Sequence, residues 1–454
     1  MNLDLTVGPP AKLLWKFSMP LLLSVVFQQL YNIVDSVVAG QFAGSNALAA
    51  VGASYPVTML FMAVATGCNI GCSVIISQLF GARRYGPMKT AVSTSLIAVL
   101  GLGGVLTVAG LLFSPTVLRM LQTKEEIFAD SAVYLNIYIL GLAFLFLYNI
   151  CNGVFTALGD SRTPLYFLIA SSLANIAADV LFVTVFHMGV AGVAWATFLC
   201  QGAASVLSFI ALRRRLAGMS CGKAKLFSGR MLGKISVVAI PSILQQSFIS
   251  VGNLFIQALV NGYGADVIAG YSAAVKLNTF AITCFQTTGS ALSSFAAQNI
   301  GAAKFDRVKQ GTRSTLLLSV LIVLPFFILF FFFGRMMMGV FVNLNETPAE
   351  VIETGMAFLR IVSPFYFVIV VKLLLDGVLR GGGAMAAFMA ATFTDLIVRV
   401  ALAYIMAPAM GTDGIWLSWP IGWVIAAGLS LVFYLGGGWK KHVPKKHTEA
   451  QEHG

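Results

Sequence analysis

Apolar runs long enough to cross about 30 Å of hydrocarbon recur from one end of the chain to the other, separated by short polar and basic segments. Runs of this kind span as helices, because a helix satisfies its own backbone hydrogen bonds where there is no water. The short alternating segments of a barrel are absent. The pattern predicts twelve spans, at roughly 14–40, 48–79, 88–113, 130–158, 163–187, 190–212, 231–260, 267–299, 310–333, 351–380, 385–407 and 413–436. The expected fold class is therefore an all-α integral membrane protein.

The pattern also repeats. Pro20 and Asn32 meet Pro241 and Asn253 at an offset of 221 residues. Gln78, Gly81, Ala82 and Lys89 meet Gln298, Gly301, Ala302 and Lys309 at 220, and Gly153 and Gly159 meet Gly377 and Gly383 at 224. The chain reads as two copies of a six-helix unit, and because six is even both copies insert in the same orientation. The expected division is a first lobe at 1–212, a basic linker at 213–230, a second lobe at 231–438 and a basic tail at 439–454. Two like-oriented bundles around a central cleft form a transporter architecture.

Composition supports a membrane protein. Hydrophobic residues make up 58% of the chain and charged residues 10%, with a mean hydropathy of +0.88, which excludes a soluble globular domain. The net charge of +12 could point to nucleic acid, but its placement does not. In a twelve-span topology nearly every basic residue, from Lys12 and Lys16 through Arg213–Arg215 to Lys445 and Lys446, falls on one side, and only Arg119, Lys124 and Arg335 fall on the other. This positive-inside pattern predicts cytoplasmic termini and linker in a cell membrane, with no nucleic-acid partner. No cleavable-signal pattern precedes the first span. The six cysteines lie in spans or in the linker, where disulfides are not expected, and Cys68 and Cys72 have no His or acid beside them to make a metal site.

Pro20, Pro241 and Pro364 each remove a backbone donor inside a span, so a kink is expected at each, with a hinge as the functional alternative. The pairs Gly40/Gly44, Gly67/Gly71 and Gly377/Gly381 fit the four-residue spacing that lets helices approach closely.

Charge inside the membrane is uneven. The first half carries Asp35 and Asp179 with no base in its own spans; the second carries Asp376 and Asp395 with Lys276, Arg360, Lys372 and Arg399. In the second half Lys372, Asp376 and Arg380 recur at four residues, as do Asp395 and Arg399, so local ion pairs are expected. The first-half acids lack that option, and a carboxylate at mid-membrane costs at least about 2.5–3.5 kcal/mol on insertion scales.

Within SSLANIAADVLFVTVFHMGVAGVAWAT, from Ser171 to Thr197, Asn175 and Asp179 are one helical turn apart, on one face and about 6 Å from each other. The stretch reads as the end of the fifth span, a tight turn at His187 to Gly189 and the start of the sixth. Asp35, Asp179 and Thr197 all fall in the outer half of the first lobe. Two carboxylates and the neutral oxygens of Asn175 and Thr197 could converge there, making an all-oxygen pocket suited to a hard cation such as Na⁺, or a carboxylate pair able to share a proton. Two separately hydrogen-bonded acids are the alternative. Under the repeat, Asp35, Asn175, Asp179 and Thr197 map onto Ile256, Arg399, Ala403 and Trp419, so ion-coupling chemistry belongs to the first lobe alone. Gln28, Gln29, Tyr31 and Asn32, with Asn149 and Asn152, Gln245, Gln246, Asn253 and Gln257, and Lys276 and Asn278, are candidates for the wall of the central cleft or for contacts between helices.

These residues resemble the multidrug and toxic compound extrusion transporters, with a match closest to the bacterial branch that includes the DNA-damage-inducible protein F-like members. The resemblance covers nearly the whole chain, including SQLFGARRYGPMKTA after the second span and its echo AQNIGAAKFDRVKQG in the second lobe. It implies a V-shaped antiporter that expels amphipathic, often cationic compounds against Na⁺ or H⁺. It also implies that Asp35, Asn175, Asp179 and Thr197 form the cation site and that Pro20 serves helix bending. Gln28, Tyr31 and Asn152 then look like first-lobe cavity residues, and Asp376 is similar to an acid that another branch uses in its second lobe.

The expected function is secondary active export of organic compounds by one chain acting alone, without a cofactor other than the coupling ion. No GxxxxGK[ST] phosphate loop is present to make ATP the direct driver. A lipid or lipid-linked saccharide flippase is the alternative, kept open by Lys276, Arg360 and Lys372. An intramembrane enzyme is not expected, since only His187 among four histidines lies near a span.

Overall fold

The computed structural model describes residues 3–38, 45–219 and 224–440, with side chains described at all of these except 35–38 and 45–48. Gly40, Gly44, Cys221 and the tail beyond 440 lie outside the described residues. Among the described residues, eleven helices are long and apolar enough to cross a membrane, and one bent pair makes a twelfth span. In chain order these are α1 (Pro10–Val38), α2 (Ser45–Gly81), α3 (Tyr85–Met120), α4 (Glu125–Leu140) with α5 (Leu142–Ala157), α6 (Arg162–Val180) and α7 (Gly189–Ala217) in the first bundle. The second bundle holds α8 (Gly229–Val260), α9 (Ala265–Gly301), α10 (Phe305–Phe332), the short α11 (Gly334–Met338), α12 (Ala349–Val362) with α13 (Tyr366–Gly381), α14 (Met385–Met410) and α15 (Thr412–Leu435).

Three departures from the periodic pattern are local. The fourth span bends by 47° at Gly141. There the backbone N–H is shared between the Ile137 and Tyr138 carbonyls, a local tightening toward 3₁₀ geometry, and Phe198 packs over the bare Cα. The third span runs to Met120, through Pro115 and past its expected end at 113, and Ser114 there donates to Asn136 Oδ1 of α4 at 2.6 Å. The tenth span is interrupted at Ser363–Phe365, around Pro364, as expected. By contrast α1 runs on through Pro20 and α8 through Pro241, with hydroxyls bonded to nearby carbonyls, Ser24 to Pro20 and Ser242 to Val238, both at 2.8 Å.

The glycine pairs bring helices into backbone contact. A Cβ on Gly67 or Gly71 would strike Ile243 or Ala239 of α8, and one on Gly377 or Gly381 would strike the Gly289 or Ser293 carbonyl of α9. The linker lies across the start of α3, where Thr90 and Thr94 accept from the Lys225 and Ser228 amides at 3.0 and 3.1 Å. We call this side of the molecule the linker face.

Near the linker face the two bundles exchange material. Leu14 and Phe17 of α1 are buried in the core of the second bundle, and Ile235 and Ala239 of α8 in the core of the first. Beside them α2 and α9 cross at their last turns. Gln78 Nε2 donates to the Gly381 carbonyl at 2.9 Å and Gln298 Nε2 to the Ala157 carbonyl at 2.7 Å, a pair of reciprocal bonds related by the repeat. Gly81 lies against the backbone of Gln298 and Gly301 against that of Gln78. All of these inter-bundle contacts lie toward the linker face. Toward the opposite face, Leu30 and Ile33 of α1 and Leu254 and Phe255 of α8 are exposed.

Candidate functional site in the first bundle

The site begins with how α6 is held. Asp160 caps it, accepting from the Arg162 and Thr163 amides at 3.2 and 3.1 Å and from the Thr163 hydroxyl at 2.8 Å, and pairs with Arg215 of α7 at 3.7 Å. At its far end α6 passes into a π-helical turn, Leu181–Val185, immediately after Asp179. The sequence reads as one regular helix there; the run of β-branched residues Val183, Thr184 and Val185 is the signal for the irregularity. The expected tight turn follows, with His187 and Gly189 both at positive φ, 51° and 56°.

Asn175 and Asp179 are buried on α6, 3% and 1% exposed. The Tyr31 hydroxyl of α1 donates to Asn175 Oδ1, joining the first and fifth spans. Both helices run in the same direction away from the linker face, so α1 carries Asp35 one turn beyond Tyr31 just as α6 carries Asp179 one turn beyond Asn175. The side chain of Asp35 lies outside the described residues. Asn175 Nδ2 has no hydrogen-bond partner among the described residues. Cys200 of α7 is within electrostatic reach of Asp179. Thr197, one turn before Cys200, is half-buried and lines a cleft between α4 and α7 with Tyr134, Tyr138 and Gln201. Its hydroxyl makes no hydrogen bond among the described residues. Tyr31 and Asn175 are therefore bonded directly, whereas Thr197 stands on an adjoining wall.

The repeat gives a second view of the same geometry. In the second bundle the counterparts of Asn175 and Thr197 are Arg399 and Trp419, and they touch, with the guanidinium 4.4 Å from the ring centroid. The counterpart of Tyr31 is Gly252, where a Cβ would meet Leu396 of α14 at 3.3 Å. One pair of these positions is in contact in each bundle, Tyr31 with Asn175 in the first and Arg399 with Trp419 in the second, and the side chains differ: polar oxygens in the first, a stacked cation in the second.

That arrangement corrects one expectation. Asp395 and Arg399 are spaced for an ion pair but do not form one within 4.0 Å; Arg399 turns onto Trp419, and Asp395 lies against Gly422. Asp376 pairs with Lys372 at 2.8 Å and accepts from Ser430 at 2.6 Å, all three buried, while Arg380 goes instead to Ser290. Asp376 is thereby enclosed in the second bundle and does not line a cleft. Asn278 is likewise a core residue, accepting from Tyr366 at 2.9 Å, and Lys276 lies over Phe341 in the loop after α11. On α1, Gln28, Asn32 and Gln29 form an exposed amide ladder at 3.2 and 3.3 Å. On α8, Asn253 is exposed and Gln257 donates to Asn261 at 2.8 Å. Asn149 is bonded within its own helix, to the Leu145 carbonyl, and Asn152 Oδ1 is buried without a partner among the described residues.

Comparison with known proteins agrees with this architecture. The MatE family model matches residues 20–181 and 241–405. The probable multidrug resistance protein YpnP of Bacillus subtilis is 29% identical, with 96% of this chain and 97% of that protein aligned. The multidrug export protein MepA of Staphylococcus aureus is 24% identical over 90% of each. Among solved structures, an outward-facing multidrug resistance MATE family transporter superposes with a TM-score of 0.88 at 23% identity over 96% of this chain and 97% of that one. A MOP superfamily transporter from Pyrococcus furiosus gives 0.88 at 24% identity over 96% and 98%. At these identities the structural likeness speaks for the fold.

Proposed function

This chain belongs to the MATE family of multidrug efflux transporters, and from that premise we propose that it is an antiporter exporting amphipathic, cationic organic compounds in exchange for Na⁺ or H⁺. The observation that carries the proposal is the joint between α1 and α6, where Tyr31 donates to Asn175 one turn beneath the level of Asp35 and Asp179. A buried carboxylate with a polar neighbour below it is a place for a proton or a hard cation, and its counterpart in the second bundle is Ala403.

In this reading the coupling ion and the cationic substrate compete for the same first-bundle carboxylates. By linkage, the factor by which the ion weakens substrate binding equals the factor by which substrate weakens ion binding. Alternating access follows from separation of the bundles first on one face and then on the other. The linker face is cytoplasmic by the distribution of basic residues, the protein is a multi-pass component of the cell membrane, and it acts as a monomer. One charge crossing 100 mV supplies about 2.3 kcal/mol, to which an ion gradient adds. Of the three bases that keep the flippase alternative open, Lys372 is engaged with Asp376 and Lys276 with Phe341, which leaves Arg360 by itself and disfavours that reading.

The test is efflux of a cationic dye from proteoliposomes under imposed Na⁺ or pH gradients. Asp179→Asn keeps the shape and removes the charge, so gradient-driven efflux should fall to the level of empty liposomes while the protein remains folded. Coupled efflux at the unsubstituted rate in this variant would refute the mechanism.

A further inference from the structure

The segment Leu3–Pro9, ahead of α1, forms neither helix nor strand, yet Leu5 and Thr6 within it are buried. Leu5 is 0% exposed. Its amide donates to Gln298 Oε1 at 3.1 Å, and its carbonyl accepts from Asn299 Nδ2 at 3.1 Å and from Arg307 Nη2 at 3.3 Å. Lys304 Nζ donates to the Thr6 carbonyl at 2.9 Å. An Asx turn presents Leu5 inward: Asp4 Oδ1 accepts from the Thr6 amide at 2.9 Å and from its hydroxyl at 2.6 Å. The same segment touches the first bundle, where the Leu3 carbonyl lies so close to Gly159 that a Cβ there would stand 2.1 Å from it, and where Asp4 pairs with Arg83 at 3.5 Å.

The offset of the repeat, extended ahead of each bundle's first helix, gives a comparison for this seat. At the offset of 221, the counterpart of Leu5 is Leu226 in the linker, which is 75% exposed. The seat residues Asn299, Lys304 and Arg307 correspond at 220 to Leu79, Arg84 and Pro87. Leu79 and Pro87 have no side-chain group with which to hold a backbone carbonyl, so the linker lies instead on Thr90 and Thr94. One of the two pseudo-symmetric positions is filled by a buried peptide and the other is not.

We propose that Leu3–Pro9 is a latch for closure of the linker face, acting through Gln298. The Leu5 amide holds Gln298 Oε1, and this fixes the side-chain amide so that Nε2 points at the Ala157 carbonyl of the first bundle. Without the latch the glutamine is free to rotate or flip, and one of the two reciprocal inter-bundle bonds is lost. Gln298 is thus a positioning residue for the closed state, and Leu5 sets its orientation. The latch rests on the alternating-access reading above, since it matters only if the bundles separate on this face.

The test uses the full chain in lipid with spin labels at Arg162 and Gln310, exposed positions on the linker-face ends of α6 and α10, and reads their distance distribution. Leu5→Asp places a charge in the buried seat. Asn299→Leu gives the seat its first-bundle counterpart and leaves Leu5 intact. Each should raise the ratio of linker-face-open to closed molecules at least tenfold, and Leu226→Asp, the control at the symmetry-related position, should leave it unchanged. If the unsubstituted distribution responds to Na⁺, pH or dye but neither seat variant shifts it, the latch is refuted and alternating access stands. If no condition or variant produces a longer distance, alternating access on this face is refuted and the latch with it.

Discussion

Substituting Gly81 by alanine puts one methyl group at the narrowest point between the bundles. The added Cβ would sit 1.9 Å from the Gln298 carbonyl oxygen and 2.7 Å from its Cα, where contacts below 3.0 Å are essentially never seen. Because the obstacle is backbone, rotamer changes cannot relieve it, and α2 and α9 must part by about 1.1 Å simply to reach that floor. The same displacement would stretch the bonds from Gln78 to Gly381, 2.9 Å, and from Gln298 to Ala157, 2.7 Å, to about 4 Å, beyond hydrogen-bonding range. Each bond contributes about 0.5–1.5 kcal/mol net, so closure on the linker face should weaken by about 1–3 kcal/mol, or roughly 5- to 150-fold in the open-to-closed ratio. Paired labels at Arg162 and Gln310 report that ratio directly. Gly301→Ala, whose Cβ would sit 2.0 Å from the Gln78 carbonyl, should do the same. A closed population as large as in the unsubstituted chain, in both variants, would refute the view that these glycines set the closure.

Two further outcomes follow from the buried polar groups. Tyr31→Phe removes the donor to Asn175 Oδ1 and leaves a buried acceptor unpaired, which costs about 1–3 kcal/mol; dye binding competed by Na⁺ or protons should show the ion affinity reduced about 5- to 150-fold, with an unchanged affinity arguing against a role for this joint. Lys372→Met strands Asp376 in the second bundle and should destabilise by about 3–5 kcal/mol, whereas Lys372→Met with Asp376→Leu should lie near the unsubstituted stability in thermal melts of the purified protein.

The burial of each bundle's first helix in the other's core bears on the proposed alternating access. Leu14 and Phe17 travel with the second bundle, and Ile235 and Ala239 with the first, while the far halves of α1 and α8 remain attached to their own bundles, α1 through Tyr31 and α8 through Gly252. Any separation on the linker face must therefore be taken up along α1 and α8. Pro20 and Pro241 lie in those helices between the two attachments, where a missing backbone bond makes bending least costly.

Much of this was written in the sequence, because hydropathy reports an environment averaged along a helix and needs no knowledge of partners. The spans, their even number in each half, the repeat and the small residues at Gly67, Gly71, Gly377 and Gly381 are all properties of that kind. So is the asymmetry between Asp179 and Ala403, visible once the halves are aligned. What spacing could not decide is which of several reachable partners a polar group takes, since that depends on side chains far away in the chain. Asp395 and Arg399 have the spacing of an ion pair, yet Trp419, twenty residues on, captures the guanidinium. Gly141 looks like any other glycine among 44 until Phe198 packs on it and the span bends. Leu5 and Leu226 are the same residue at the 221-residue offset, each shortly ahead of its bundle's first helix, and only the tertiary structure separates them: Asn299 and Arg307 hold the carbonyl of one in the core, while Leu79 and Pro87 have nothing to offer the other.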